Sequence, residues 1–121
     1  YSDVKKVLNA LIKLYENFIY SIESTDEPGP LAKSVNRFAD DLESLLPEMA
    51  RLNSKYPELK NFNISPPEEL KYEADTLGQL EPRLRDSFYK INLYSGDKGD
   101  DNVKKAVVNL QRVLGKMKSG K

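Results

Sequence analysis

The sequence contains no cysteine, no histidine and no tryptophan. Without cysteine the chain cannot form a disulfide, a thiolate zinc site or an iron–sulfur cluster, and it has no cysteine nucleophile. Without histidine it lacks the commonest metal ligand and the commonest general base, which excludes Ser-His-Asp hydrolysis and the Glu-x-x-His di-iron site of helical bundles. We therefore expect a protein that is not an enzyme, with no catalytic residue, no metal and no cofactor.

An excess of charge of one sign is also missing, because 19 basic residues balance 19 acidic ones. A dedicated nucleic-acid binder usually shows a basic excess, so we expect no nucleic-acid partner. The apolar stretches are short and interrupted by polar residues, and none approaches the roughly 20 apolar residues of a membrane span. We therefore expect no transmembrane segment. The length of 121 residues, of which 39% are hydrophobic, suits a single domain over residues 1–121.

The first predicted helix, over residues 3–23, carries an unusually wide apolar face. Its apolar side chains fill about 160° of a helical wheel, against roughly 100° for an ordinary surface helix. We expect this helix to touch two neighbouring helices, or one helix and a binding partner. The apolar residues are Val4, Val7, Leu8, Leu11, Ile12, Leu14, Tyr15, Phe18, Ile19 and Ile22.

The second predicted helix, over residues 31–55, follows a loop that contains Pro28, Gly29 and Pro30. Its apolar stripe continues past Pro47, which lies opposite the stripe, so we expect a kink with the proline towards solvent. The stripe is formed by Leu31, Val35, Phe38, Leu42, Leu45, Met49, Leu52 and Tyr56.

The third predicted helix, over residues 66–94, has a capping box, with Ser65 as N-cap, Pro66 at the first helical position and Glu68 completing the box. Pro82 lies opposite its stripe, and we expect a second kink there. The stripe is formed by Leu70, Leu77, Leu80, Leu84, Phe88 and Ile91.

The fourth predicted helix, over residues 101–117, is capped by Asp100 or Asp101. Together the four helices predict an all-α fold, an antiparallel up-down-up-down four-helix bundle with proline-kinked helices 2 and 3. In the connector before the third helix, Leu59, Phe62 and Ile64 are expected to cover one end of the core. The apolar stripe of the fourth helix is formed by Val103, Ala106, Val107, Leu110, Val113, Leu114 and Met117.

Three polar features of the sequence are candidates for an acid–base, anion-binding or cation-binding site. Glu73 falls inside the apolar arc of the third helix, where a half-buried carboxylate with a raised pKa can act as an acid or base or bind a cation. A position at the edge of the arc, where Glu73 reaches water or pairs with a lysine, is favoured over such a role. Arg83 and Arg85 point about 100° apart on a helix, so they favour a solvated face over an anion clamp. The loop 97–102 is acidic, but Lys98 interrupts it, so turn chemistry is favoured over calcium binding.

Two helices carry faces of opposite charge. Intrachain charge pairing is favoured over a docking surface for an anionic partner or membrane headgroups, because the basic residues spread around their helix. The acidic face of the second helix comprises Asp40, Asp41, Glu43 and Glu48. The basic face of the fourth comprises Lys104, Lys105, Arg112, Lys116 and Lys118.

A contact surface for a partner is predicted from the tyrosines and from the wide face of the first helix. Tyr20, Tyr72 and Tyr89 lie away from the apolar stripes, and exposed tyrosines favour interfaces. Tyr15 and Ile19 join them because the first helix has more apolar surface than one neighbour requires. We expect a protein partner or self-association through these five residues.

The leading functional hypothesis is a non-enzymatic helical-bundle binding domain. The chain begins at Tyr1 and the helical pattern resembles small bundle domains of exported bacterial proteins, so we expect the folded part of an exported or lipid-anchored protein, periplasmic or membrane-anchored. The alternative is a small-molecule sensor or carrier whose bowed helices leave an apolar pocket. That pocket would be lined by Leu42, Leu46, Met49, Leu77, Leu80 and Leu84.

Overall fold

The computed structural model describes residues 1–62, 64–96 and 99–119, with the backbone only for residues 118 and 119. This part of the chain has four α-helices and two short 3-10 helices, with no strand. None of the helices searched has both the length and the apolar composition needed to cross a membrane. The predicted all-α class is confirmed. The α-helices are α1 (Ser2–Glu23), α2 (Pro28–Lys55), α3 (Lys71–Leu93) and α4 (Asp101–Ser119), and the 3-10 helices are Pro57–Asn61 and Glu68–Leu70.

Helix α2 begins within the segment that the sequence assigns to a loop. Pro28 and Pro30 lie in its first turn, three residues earlier than the expected start at Leu31. Proline has no N–H, but the first N–H groups of a helix have no acceptor within the helix, so proline costs little there. The backbone N–H of Leu31 donates to the carbonyl of Glu27 at 3.1 Å, which closes this first turn.

Helix α3 begins later than its apparent capping box predicts, and that capping box is wrong. Pro67 is extended, with φ −56° and ψ 147°, and neither α3 nor the 3-10 turn before it has a side-chain cap. A residue that precedes proline avoids the helical region, so Pro66 cannot begin a helix while Pro67 follows it. Helical backbone starts at Glu68 as a 3-10 turn, and α3 itself starts at Lys71.

The start of α4 agrees with the sequence prediction. A carboxylate oxygen of Asp100 accepts hydrogen bonds from the backbone N–H groups of Asn102 at 2.8 Å and Val103 at 3.1 Å. This is the ordinary role of an N-cap aspartate. Gly99, just before it, lies so close to the carbonyl of Tyr94 that a Cβ atom would collide with that backbone, which explains why glycine occupies the position.

Both interior prolines lie on the solvent side. Pro47 in α2 and Pro82 in α3 are exposed, and each helix continues on both sides of its proline. An interior proline removes one backbone hydrogen bond and crowds the preceding turn. On an exposed face water can bind the freed carbonyl, so the apolar stripe on the opposite side remains continuous.

Helix α1 packs against both α2 and α3. On one side, Phe18 stacks on Phe38 of α2 with ring centroids 4.2 Å apart. On another side, Ile12 and Ile19 form a buried cluster with Leu80 of α3. The wide apolar face of α1 is therefore used by two neighbouring helices, the first of the two outcomes that its sequence allows.

Polar contacts show which parts of neighbouring helices meet. Asp3 at the start of α1 pairs with Lys55 at the end of α2. Between α2 and α4, Asn36 contacts Asn109 and Glu43 contacts Arg112.

Two contacts mark the two ends of the α1–α3 pair. Val4 and Leu70, which precedes α3, share a cluster near one end of α1, while Ile22 near the other end meets Lys90 of α3. The crossing from α2 to α3 is made by residues 56–70. Within them, Leu59 and Phe62 cover a second small core around Val4, as expected, whereas Ile64 is exposed.

A lysine from α3 closes the C-terminal end of α1. The Lys90 ammonium donates to the carbonyls of Ile22 at 2.7 Å and Thr25 at 2.6 Å, and it pairs with Asp26 at 3.0 Å. The last carbonyls of a helix have no partner within the helix and carry partial negative charge, so a cation is stabilising there. This contact fixes the loop between α1 and α2 against α3.

Candidate functional site

The structure separates the five residues predicted to form a partner surface. Ile19 is 0% exposed in the contact with α3, so it cannot touch a partner unless the helices move apart. Tyr15 packs against the same cluster, and burial raises the pKa of its phenol. Tyr20, Tyr72 and Tyr89 are 73%, 72% and 69% exposed.

The three exposed tyrosines do not form one patch. Tyr72 and Tyr89 lie 17 residues apart on α3, which corresponds to about 25 Å along a helix. Tyr20 lies on α1, at the edge of a groove between α1 and α2. One small interface does not include both ends of α3 and this groove. Tyr20 therefore belongs to a different surface from Tyr72 and Tyr89.

The groove between α1 and α2, called here the tyrosine groove, has a volume of about 370 Å³. Leu14, Phe18 and Phe38 form its apolar floor, and polar side chains from both helices form its walls. The stacked phenylalanine rings belong to the core, which fixes the floor in place. The wall residues are Asn17, Tyr20 and Ser21 from α1, and Lys33, Ser34, Arg37 and Asp41 from α2.

Two serine hydroxyl groups in this groove make no hydrogen bond within their own helices, as is also true of the exposed Ser54 of α2. Within the part of the chain that the structure describes, the half-buried Ser21 and Ser34 make no side-chain hydrogen bond. A helical serine without a partner usually bonds back to the carbonyl four residues earlier. That backbone bond is made by Ser24, Ser44, Thr76 and Ser87.

The positive charge of the groove comes from Lys33 and Arg37, one turn apart on α2. Arg37 Nε lies 3.9 Å from a carboxylate oxygen of Asp41, with both side chains largely exposed. Lys33 has no acidic partner among the described residues. An exposed ion pair at this distance contributes little, about 0–1 kcal/mol, so both cations remain available to a ligand.

A second groove of about 370 Å³ lies between α2 and α4, and both methionines of the chain line it. We call it the methionine groove. Of the six residues expected around an apolar pocket, only Leu46 and Met49 line this groove. Leu42 and Leu80 are buried in packing contacts, and Leu77 and Leu84 pack against the same core clusters. Its lining is Glu43, Leu46, Pro47, Met49, Ala50, Asn53, Lys116 and Met117.

One wall of the methionine groove carries an ion-pair cluster. Glu43 accepts hydrogen bonds from Arg112 at 2.9 Å and Lys116 at 2.6 Å, and these bonds lower the pKa of its carboxyl to about 2. Glu43 of the acidic face of α2 therefore pairs with α4, whereas Asp41 and Glu48 pair with Arg37 and Arg51 of α2 itself. The Lys118 side chain of that basic face is outside the described residues.

A similar cluster joins the first turn of α1 to the end of α2. Asp3 accepts hydrogen bonds from Lys55 Nζ at 2.9 Å, the Tyr56 hydroxyl at 3.1 Å and the Val4 backbone at 2.9 Å. The lysine contact is the main reason that the pKa of Asp3 falls to about 2. Both ion-pair clusters join residues of two different helices, so we assign them a structural role.

Glu73 is the one carboxylate that the structure buries without a partner in the described part of the chain. Its side chain is 5% exposed, and its Oε1 atom has no hydrogen-bond partner. Glu73 therefore has no lysine partner among the described residues, while its other carboxylate oxygen is not among the buried atoms, so the expected contact with water stays a prediction. Glu73 lies three residues after the buried Leu70 on α3.

Metal sites are not evident in the part of the chain that could be searched. No group of three carboxylates suited to a metal ion occurs among the described residues. In the acidic loop 97–102, Asp100 caps α4, while Asp97 and Lys98 lie outside the described residues.

Apart from Tyr20, the polar residues of the groove are not predicted from the sequence, because helical periodicity describes one helix at a time. Lys33 and Arg37 border the stripe of α2, and Asn17 and Ser21 border that of α1, so each set appears as an ordinary polar face. The repeated spacing of four was the available signal. It becomes informative only once α1 and α2 are paired.

Comparison with known proteins adds no relative to this description. No protein family model, no curated protein and no solved structure matches the chain.

Replacing Glu73 with leucine should stabilise the protein. A buried carboxylate without a partner carries a desolvation cost, so Glu73→Leu should raise the free energy of unfolding by about 1–2 kcal/mol in urea denaturation. Glu69→Leu is the matched control, because Glu69 is exposed near the same helix end, and it should change stability by less than about 0.5 kcal/mol. A loss of stability in the Glu73 variant would mean that the carboxylate is satisfied.

The two carboxyls whose pKa values fall furthest, Asp3 and Glu43, should make the protein sensitive to acid. Folding depresses the pKa values of Asp3 and Glu43 from 3.8 and 4.5 to about 2, so their stabilisation is present above pH 4.5 and disappears as the pH falls towards 2. The double variant Asp3→Asn/Glu43→Gln should therefore lose less melting temperature than the wild type between about pH 5 and pH 2.

The control for this comparison is the double variant Glu16→Gln/Asp75→Asn, which neutralises two exposed carboxyls without ion pairs among the described residues. Its melting temperature should follow the wild-type curve. Parallel curves for all three proteins would contradict the assignment of the acid response to Asp3 and Glu43.

Proposed function

We propose that this chain is a non-enzymatic helical binding domain that contacts a protein partner through the tyrosine groove. One observation carries the proposal: an exposed tyrosine, Tyr20, stands beside a groove whose polar side chains mostly lack partners within the described chain. Tyrosine is common at interfaces because it combines a large apolar ring with a polar tip. The walls of the groove offer polar contacts to a partner, and the exposed ring of Tyr20 offers an apolar one.

The choice of a binding role over catalysis rests on residue chemistry. The chain has no histidine and no cysteine, the residue types most often used as bases and nucleophiles. Glu73 lies on α3 and is not among the residues that line either groove. Among the described residues that line the two grooves, no pair of titratable groups is arranged as a general acid and a general base.

The proposed arrangement of the helices explains why the groove is open. We propose that the four helices alternate up and down, and that Pro47 and Pro82 bend α2 and α3 around the core. The pairing of Asp3 at the start of α1 with Lys55 at the end of α2, and the exposure of both prolines, support this. Because α1 turns its apolar face to two neighbours, its remaining polar side borders α2 without a third helix over it.

A second candidate function uses the methionine groove. A small-molecule carrier or sensor needs an apolar recess, and methionine side chains adapt to varied apolar ligands. The position of Met49 and Met117 on opposite sides of this groove favours such a role. Export or lipid anchoring of the protein stays a prediction from the sequence under either function.

Site-specific photocrosslinking in the cells that make this protein tests the proposed function. A benzophenone amino acid at position 20 should give one discrete adduct with a protein partner, or with a second copy of this chain. The same probe at positions 72 and 89 is the matched control, because those tyrosines are equally exposed on α3, and it should give none. No adduct at position 20, or the same adducts at all three positions, would contradict the proposal.

A further inference from the structure

We propose that the tyrosine groove recognises an anionic segment of a protein partner, with a carboxylate or phosphate placed between Lys33 and Arg37. This inference rests on the proposed function and names the chemistry of the partner. It follows from the position of the two cations, the free hydroxyl groups and the volume of the groove.

The donors of the groove converge from two helices. Lys33 and Arg37 are four residues apart on α2, so their Cβ atoms lie about 6 Å apart on one face. Ser21 on α1 and Ser34 on α2 add hydroxyl groups without a partner among the described residues. Lysine and arginine are donors only, and a carboxylate or phosphate is an acceptor whose several oxygens can satisfy them together.

The charge balance of the groove also favours an anion. Asp41 is the only carboxylate among its lining residues, against two cations, which leaves an excess of one positive charge. In the methionine groove, by contrast, Lys116 is paired with Glu43, as is the neighbouring Arg112. In this proposal Asp41 competes with an anionic ligand for Arg37. Removal of the Asp41 charge should therefore make the groove bind an anionic ligand more tightly.

The shape of the site favours a protein segment over a membrane surface. A groove of about 370 Å³ holds one or two side chains. A membrane surface is nearly flat and attracts clusters of several basic residues, each adding about 1 kcal/mol. Here only two cations border a recess, in a chain whose net charge is zero. Phe18 and Phe38 are each 3% exposed, so they close the base of the groove and leave its polar walls as the main contact for a ligand.

Titration with short peptides tests the inference, with amide chemical shifts and calorimetry as readouts. The probes are an acetylated peptide with two glutamates before and after a leucine, its all-glutamine analogue, and a version with phosphoserine in place of one glutamate. The glutamate peptide should shift the amides of Ser21, Ser34 and Arg37, and the glutamine analogue should not. Inorganic phosphate should shift the same amides weakly.

Charge variants of the protein make the test specific. Lys33→Gln/Arg37→Gln should weaken binding of the acidic peptide at least about fivefold, and Asp41→Asn should tighten it about two- to fivefold, as expected for exposed charge pairs. Lys71→Gln/Arg85→Gln is the matched control, since it removes the same charge from exposed positions on α3 and should change affinity by less than about twofold.

The outcomes separate this inference from the proposed function. Tighter binding of the glutamate peptide or of the phosphoserine peptide supports the inference and identifies the source of the anion. Equal binding by the wild type and Lys33→Gln/Arg37→Gln would overturn it, as would equal binding of the glutamine analogue. Binding to phosphatidylserine vesicles through the same two cations, without peptide binding, would also overturn it. A crosslink at position 20 that persists in the double variant would leave the proposed function standing.

Discussion

The fold depends on the burial of two apolar sides of one helix. Phe18 of α1 stacks against Phe38 of α2, while Ile12 and Ile19 of α1 pack against Leu80 of α3. A helix that buries only one stripe can leave its neighbour with a modest loss of apolar contact, whereas α1 cannot leave either neighbour without exposing large side chains. The other elements are arranged around this double contact. α4 reaches the same core by packing on α2, and Lys90 holds the end of α1 against α3.

The same double contact determines which surfaces remain available. With its apolar sides committed, α1 presents Asn17, Tyr20 and Ser21 along its border with α2, opposite Lys33 and Arg37. Elsewhere, carboxylates neutralise the cations that cross between helices, as Asp3 and Glu43 do for Lys55, Arg112 and Lys116. Two kinds of polar contact thus occur in one small chain. In one kind, cations and carboxylates of two helices pair with each other. In the other, the hydrogen-bond donors Lys33 and Arg37 line a groove.

Sequence periodicity predicted most of the secondary structure, because the apolar residues of each helix recur every three or four positions. It placed Pro47 and Pro82 on the solvent side and Asp100 at the start of α4. It failed at Ser65, since the second of two prolines keeps the first out of a helix, and at Pro28, since prolines are accepted in a first turn. The groove could not be predicted, because it exists only between paired helices. For the same reason Ile19 and Tyr20, neighbours in sequence, were assigned to one surface although one is buried and the other exposed.

Hydrogen exchange measured residue by residue on the native protein tests the central role of α1 most directly. If α1 is the helix on which its neighbours depend, the amides of residues 11–22 should exchange only through global unfolding and should be the slowest in the protein. Those of α3, which shares its main helix contact with α1 alone, should exchange earlier. Amides of α1 that exchange faster than those of α3 and α4 would contradict the account, because α1 would then leave the fold while its neighbours remained in place.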